Sequence, residues 1–168
     1  MTRMLQPMLN EFREEAAITK RVLARVPADK LLWKPHPKSM SLGQLALHVA
    51  TIPGGIAKLA QQDGFDVAQA NFNPPEAKNV EELYTALQES LRAGEECLSG
   101  MSDRTATEGW CLKSNGKPVF TRPRVEVLRQ IMLNHWYHHR GQLSVYLRLL
   151  DVPVPVIYGR SADENPFG

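Results

Sequence analysis

Three of the five histidines of the chain lie close together, at His135, His138 and His139. His135 and His139 are four residues apart, so in an α-helix their side chains lie about 40° from one another around the axis and one turn apart. Two imidazoles at this spacing can share one divalent metal ion, as they do in helical zinc sites. The pair therefore indicates a metal-binding position on a helix.

A third imidazole is available on a second helical segment. His48 lies beside the apolar residues Leu45 and Val49, which predicts that it faces the same interior as the first pair. A single interior histidine is usually only hydrogen-bonded, but two imidazoles on one core face without an inward carboxylate are hard to satisfy without an ion. We therefore expect one divalent metal ion, held between facing helices by His48, His135 and His139.

The two remaining histidines are weaker candidates. His138 lies about 100° from His139 around a helix, which turns it toward the edge of the inward stripe. We expect it beside the ligands or on the surface. His36 lies in a turn rich in proline, and we expect it at the surface.

Three neutral imidazoles do not complete the coordination of a metal ion, which is typical of a catalytic site. An ion there can lower the pKa of a water or a thiol and so generate a nucleophile. Gln44 and Gln142 are candidates to orient the ligands, and Tyr146 is a possible proton donor; the alternative is that all three are simply polar residues of the core. A metal-dependent transferase or hydrolase is one hypothesis. A non-enzymatic metal-binding or stress-response protein is the other, because no general base is evident near the ligands.

Hydrophobic periodicity predicts four helices that would position these residues. Ser41 and Gln44 have the spacing of a capping box, and Pro53 is expected either to kink the second helix or to split it. The expected helices run from about Thr2 to Val26, from Ser41 to Leu59, from Val80 to Leu98, and from Pro123 to about Leu150.

The fourth helix carries two apolar faces. The stripe expected to face inward comprises Leu128, Met132, His135, His139, Gln142, Tyr146 and Leu149. The second face comprises Leu133, Trp136, Arg140, Leu143 and Leu147. A helix with two apolar faces is either central to the bundle or buried in a dimer, and we expect a homodimer.

The segment before the fourth helix predicts a small β-hairpin. Asn115-Gly116 is a strong turn signal between the short apolar runs Gly109 to Leu112 and Pro118 to Thr121. Residues 63 to 78 are interpreted as a polar connection. The expected fold is all-α, one domain over residues 1–168: a four-helix bundle with a long crossover after helix 2 and the hairpin between helices 3 and 4.

The charge balance of the chain argues against nucleic-acid binding. The 168 residues carry a formal net charge of +2, so we expect no nucleic-acid partner. The cluster Arg122, Arg124 and Arg129 is partly offset by Glu126 and is interpreted as a solvated helix start.

Neither targeting nor redox chemistry has a clear signal. Cys97 and Cys111 do not form a disulfide framework, and we expect two half-buried thiols. The stretch Ser39 to Ala57 lacks charged residues but contains too many polar and helix-weakening positions for a membrane span. Met1 to Ala17 has no apolar core of a signal peptide. We therefore expect a cytoplasmic protein without a membrane partner.

Several motifs together resemble the DinB (damage-inducible) family, the DinB/YfiT-like metalloproteins that are unrelated to the DNA polymerase of the same name. The resemblance covers nearly the whole chain. It rests on Trp33-Lys34-Pro35, on Ser41 to His48, on His135 to Leu143, and on Tyr158-Gly159 before Ser161 to Glu164.

The resemblance implies a four-helix bundle with up-down-down-up topology, often dimeric, in which three histidines bind zinc or nickel. By position these are His48, His135 and His139, the same three residues. Members with known activity include thiol S-transferases that use low-molecular-weight thiols such as bacillithiol, and related mycothiol-dependent isomerases. A small-molecule substrate, such as a low-molecular-weight thiol, is therefore the expected partner.

Overall fold

The computed structural model describes residues 3–167, which are mostly helical and include a small three-stranded sheet. The predicted start of the first helix at Thr2 lies outside the described residues; the helix itself begins at Gln6, with a proline in its first turn. The helices are α1 (Gln6–Leu23), α2 (Leu42–Ala60), α3 (Val80–Gly100), the short α4 (Asp103–Thr107), α5 (Arg124–Val127) and α6 (Asn134–Leu149). A π-helical stretch, Leu128–Leu133, joins α5 and α6 into one continuous last helix. The four predicted long helices are all present, whereas α4 was not predicted.

Helix α2 lies at the centre of the packing. It contacts α3 on one side and the last helix on the other, and α1 packs against α3. The predicted capping box is present, since the Ser41 hydroxyl accepts from the Gln44 N–H and the Gln44 side chain accepts from the Ser41 N–H. Each of these helices contributes buried apolar residues to one core cluster.

Pro53 does not split α2, which is continuous from Leu42 to Ala60. The next residue, Gly54, faces α3, and its N–H donates to the Ser90 hydroxyl at 2.7 Å. A Cβ atom at Gly54 would lie 2.6 Å from the Ser90 Cα. The two helices therefore approach each other closely at a position that requires glycine.

The last helix changes register inside the π-helical stretch. There the Asn134 N–H donates to the carbonyl of Arg129, five residues earlier, so the turn contains one residue more than an α-helical turn. Leu128 and Met132 are buried as predicted. Beyond them the buried positions move by one residue, to Trp136, Arg140, Leu143 and Leu147.

The predicted inward stripe is therefore wrong beyond Met132. His135, His139 and Tyr146 are half-buried, Gln142 is exposed and Leu149 is 57% exposed. The face offered as a dimer contact instead fills the interior of the chain. This removes the structural reason for which a homodimer was expected.

The sheet has the strand order β1 (Gly64–Asp66), β2 (Gly109–Ser114), β3 (Lys117–Pro123). Strands β2 and β3 form the predicted antiparallel hairpin, and its turn residues Asn115 and Gly116 have φ angles of 49° and 76°. Strand β1, in a segment predicted to be a polar connection, pairs parallel to β2. The Asp66 carboxylate accepts from the N–H groups of Asn115 (3.0 Å) and Gly116 (2.6 Å), so β1 holds the hairpin turn in place.

Arg124 is buried, which contradicts its interpretation as part of a solvated helix start. Its guanidinium donates to the carbonyl oxygens of Ala60 (3.0 Å), Gln62 (3.1 Å) and Gly109 (3.2 Å) and to the Asp63 carboxylate (3.1 Å). Carbonyl groups at a helix end lack helical partners, and Arg124 satisfies those at the end of α2. It thereby joins α2, the sheet and the last helix.

A second buried arginine anchors the tail. Arg140 and Glu15 form an ion pair at 2.5 Å, and both side chains are buried. The Tyr158 hydroxyl contacts Arg140 at 2.5 Å and donates to Glu15 at 3.1 Å. The chain after α6 is thus fixed against α1.

Neither cysteine forms a disulfide. Cys97 is buried, more than predicted, and burial raises the pKa of its thiol to about 11. Cys111 is half-buried as expected. Within residues 3–167, no helix has both the length and the apolar composition needed to cross a membrane.

Candidate metal centre

The structure brings together the side chains of His48 from α2 and of His135 and His139 from α6. Their ligand atoms all lie within 4.8 Å of one another. The Nε2 atoms of His48 and His135 are 3.4 Å apart. Two nitrogens at the usual zinc distance from a tetrahedral ion would be about 3.3 Å apart, so this spacing fits a shared ion.

The three imidazoles are held neutral. Burial lowers the pKa of His48 to about 4, with a further contribution from His139, and it lowers the pKa of His135 to about 4, with contributions from His139, His48 and His138. The pKa of His139 is also lowered, chiefly by burial, although its hydrogen bond to Gln142 opposes the shift. Neutral imidazole is the form that binds metal. At neutral pH all three rings therefore present a free lone pair.

Gln142 contacts one of the candidate ligands, as the sequence indicated. Its Oε1 lies 2.7 Å from Nδ1 of His139. An amide oxygen can only accept, so this contact places the imidazole proton on Nδ1 and leaves the Nε2 lone pair free. Such a partner on the far nitrogen is the usual companion of a metal-binding histidine.

The family assignment follows from the whole chain. The DinB family model matches residues 1–165. The chain belongs to the DinB family. No curated protein matches this chain at a significant level.

Solved structures of DinB-like proteins share this fold. One from Bacillus cereus ATCC 10987 has a TM-score of 0.66 at 22% identity, covering 89% of this chain and 95% of that one. One from Bacillus subtilis has a TM-score of 0.70 at 17% identity, covering 91% of this chain and 97% of that one. A putative member of the family from Exiguobacterium sibiricum 255-15 has a TM-score of 0.66 at 20% identity, covering 93% and 98%. At these identities the likeness extends to the fold alone.

Two other polar residues singled out from the sequence of this DinB protein have different partners. The Gln44 amide is used in the capping box and donates to the Pro74 carbonyl at 3.0 Å. The Tyr146 hydroxyl donates to the carbonyl of Met40 at 3.2 Å. Neither contact involves a histidine, so both side chains instead secure the segment that enters α2.

The remaining histidines lie where the sequence placed them. His138 is exposed, with its ring 4.9 Å from the ring of His139, so it is a neighbour of the cluster and not a member of it. His36 is exposed, and its Nδ1 accepts from the N–H of Lys38.

The half-exposure of the DinB histidine cluster was not anticipated. His48, His135 and His139 are each half-buried, at the border between the core and the solvent. Among residues 3–167, the group that could hold the ion contains these three histidines without a carboxylate. The three side chains therefore retain some contact with solvent.

Proposed function

We propose that this DinB protein binds one divalent metal ion, zinc or nickel, through His48, His135 and His139 and uses it in a reaction on a small molecule. The proposed reaction is a metal-dependent thiol S-transfer or a hydrolysis. The observation that carries the proposal is the convergence of three neutral imidazoles at a half-exposed position. A site built only to brace a fold is usually closed by four protein ligands, whereas a catalytic zinc site has three.

The chemistry of the donor set supports this proposal. When bound, a divalent cation supplies Lewis acidity that lowers the pKa of a coordinated thiol or water. The chain itself contributes three oriented neutral donors, and Gln142 holds the ring of His139 in the required tautomer. The low-molecular-weight thiol is proposed from the family resemblance, and hydrolysis is the alternative that the same ligands allow.

A non-enzymatic metal-binding or stress-response protein is the second candidate. The observation that favours it is that the histidine cluster, within the described residues, contains no carboxylate that could act as a base. In that case the ion would only tie α2 to α6.

The decisive experiment has two stages. Metal content is first measured on protein purified without a histidine tag, and the metal is then removed with a chelator and restored. Turnover of monochlorobimane with bacillithiol or glutathione, and of a panel of esters, is measured in each state. We expect a rate that depends on the metal and is lost in His139→Ala but kept in His36→Ala. Stoichiometric metal binding without any metal-dependent rate would favour the second candidate, and no binding at all would refute both.

Three further features are proposed on the same resemblance. We expect up-down-down-up helix order, a homodimer and a cytoplasmic location. A monomeric mass in sedimentation at micromolar concentration would refute the dimer.

A further inference from the structure

We propose that the π-helical stretch Leu128–Leu133, held by a side-chain bond between Arg129 and Asn134, sets the direction in which His135 and His139 face. This inference rests on the proposed function, because it concerns the geometry of the metal-binding histidines. Arg129 and Asn134 would be positioning residues, which act through the helix and not by touching the ion.

The geometry of the α-helix shows what the π stretch changes. In an uninterrupted α-helix, His135 and His139 would lie within about 20° of the direction of Leu128, since seven and eleven residues complete nearly whole numbers of turns. Leu128 is fully buried. Both histidines would then face the core. One additional residue in the turn rotates everything after it by about 100°.

The burial of the last helix shows that this rotation has occurred. Trp136 and Arg140 take the interior positions that His135 and His139 would otherwise occupy, and they are 0% and 1% exposed. The histidines are moved to the border of the core, where they meet His48 of α2. The π stretch therefore converts two core positions into positions that both a metal ion and a molecule from solution can reach.

The bond between Arg129 and Asn134 is specific to the π geometry. Their backbones form the five-residue hydrogen bond, and the Arg129 guanidinium also donates to the Asn134 side-chain oxygen at 3.0 Å. In an α-helix, side chains five residues apart point about 140° away from each other. The side-chain bond therefore stabilises the π turn against an α-helical one.

Helix α1 gives the π turn a second support. The guanidinium of Arg129 lies 3.6 Å from the Glu11 carboxylate and above the ring of Tyr137. Asn134 directly precedes His135 but is exposed. A change at Asn134 thus removes the bond without opening the core.

The test compares cobalt binding among variants, because the d–d spectrum of Co²⁺ reports the geometry of its ligands. In Asn134→Ala we expect the affinity for Co²⁺ to fall roughly tenfold, in the range seen for residues behind metal ligands, with an altered spectrum and unchanged helical circular dichroism. Asn134→Asp keeps the oxygen acceptor and should restore affinity. Gln130→Ala, in the same stretch but bonded to Arg122, is the matched control and should bind as the unmodified protein does.

Deletion of Gln130 is the stronger test, because it removes the extra residue. We expect at least a tenfold loss of Co²⁺ affinity. If both Asn134→Ala and the deletion bind Co²⁺ like the unmodified protein, the inference is overturned while the proposed metal site stands. If the deletion variant does not fold, normal binding and spectrum in Asn134→Ala alone overturn it. If the unmodified protein does not bind Co²⁺, the proposed metal site fails, and the inference fails with it.

Discussion

Nδ1 of His139 lies 2.7 Å from Oε1 of Gln142, three residues later on the same helix. The bond occupies Nδ1 and leaves Nε2 as the nitrogen available to the proposed metal ion. It also adds a hydrogen bond that fixes the orientation of this half-exposed ring. Gln142 is therefore expected to matter for metal affinity although it contributes no ligand atom.

Replacement of Gln142 tests that expectation. In Gln142→Leu the imidazole loses both its fixed tautomer and its orientation, so we expect metal affinity to fall about tenfold or more. The measurement is a competition titration with a chromophoric chelator. Gln88→Leu, at an exposed glutamine of α3, serves as the control and should bind normally. Equal affinity in the two variants would show that the bond has no influence.

Metal-free protein should lose stability on mild acidification. Burial lowers the pKa values of His48 and His135 from 6.5 to about 4 in the folded chain. Between those pH values the unfolded chain binds more protons than the folded one. The stability that the two neutral histidines contribute to the folded state is therefore complete above about pH 6.5 and is lost as the pH falls toward 4. After a discount for partial exposure, we expect a loss on the order of 2 kcal/mol for the pair.

Urea unfolding of chelator-treated protein between pH 7.5 and 4 measures this loss. The double variant His48→Gln with His135→Gln should show a flatter dependence, whereas His36→Gln should follow the unmodified protein. Parallel curves for the double variant and the unmodified protein would show that these two rings do not cause the acid sensitivity.

Breaking the buried ion pair of Glu15 and Arg140 should lower the free energy of unfolding. Glu15→Ala leaves the guanidinium without its carboxylate in the core, which we expect to lower the free energy of unfolding by about 3–5 kcal/mol and the melting temperature by about 10 °C. The exposed pair of Arg13 and Glu95 is the comparison, and Arg13→Ala should cost less than about 1 kcal/mol. Thermal melts of the two variants that coincide would contradict this expectation.

Alanine substitutions at the adjacent glycines Gly54 and Gly55 of α2 should change the free energy of unfolding in opposite directions. Gly54→Ala forces a methyl group against the backbone of Ser90, and we expect a destabilisation of about 1–3 kcal/mol. A Cβ at Gly55 meets nothing within 4 Å, so Gly55→Ala should stabilise the helix by about 0.5–1 kcal/mol. Chemical unfolding of both variants gives the signs directly, and a stabilising Gly54→Ala would refute the proposed close approach.

The sequence patterns predicted local features well and long-range ones poorly. The Ser41 cap and the Asn115-Gly116 turn were found because each depends on residues only a few positions apart. The strand Gly64–Asp66 is too short for a hydrophobic period and depends on a partner that lies more than forty residues later. Arg124 was misassigned for a similar reason, since the carbonyl groups that surround it come from α2 and the sheet.

The last helix shows how a small irregularity misleads a periodic argument. Counting from Leu128 at the α-helical period places His139 and Tyr146 in the core, whereas the π turn places Arg140 and Leu147 there. The choice of candidate ligands did not depend on this error, because the spacing of His135 and His139 lies entirely within α6. The predicted burial of His135 and His139, in contrast, was wrong because the π turn was not foreseen.

The contacts of Arg124 restrict how α2 and the last helix can move relative to each other. It fastens α2 to the last helix at Ala60, and the histidines join the same two helices near His48, about 18 Å farther along α2. The Arg124 guanidinium thus ties one end of this antiparallel pair, and the proposed metal ion would add a second tie at the other end. Amide hydrogen exchange should therefore be asymmetric: chelation should accelerate exchange around His48 and leave the carboxyl-terminal turn of α2 protected. In the metal-free protein, α2 and the last helix would separate more readily at His48 than at the buried Arg124.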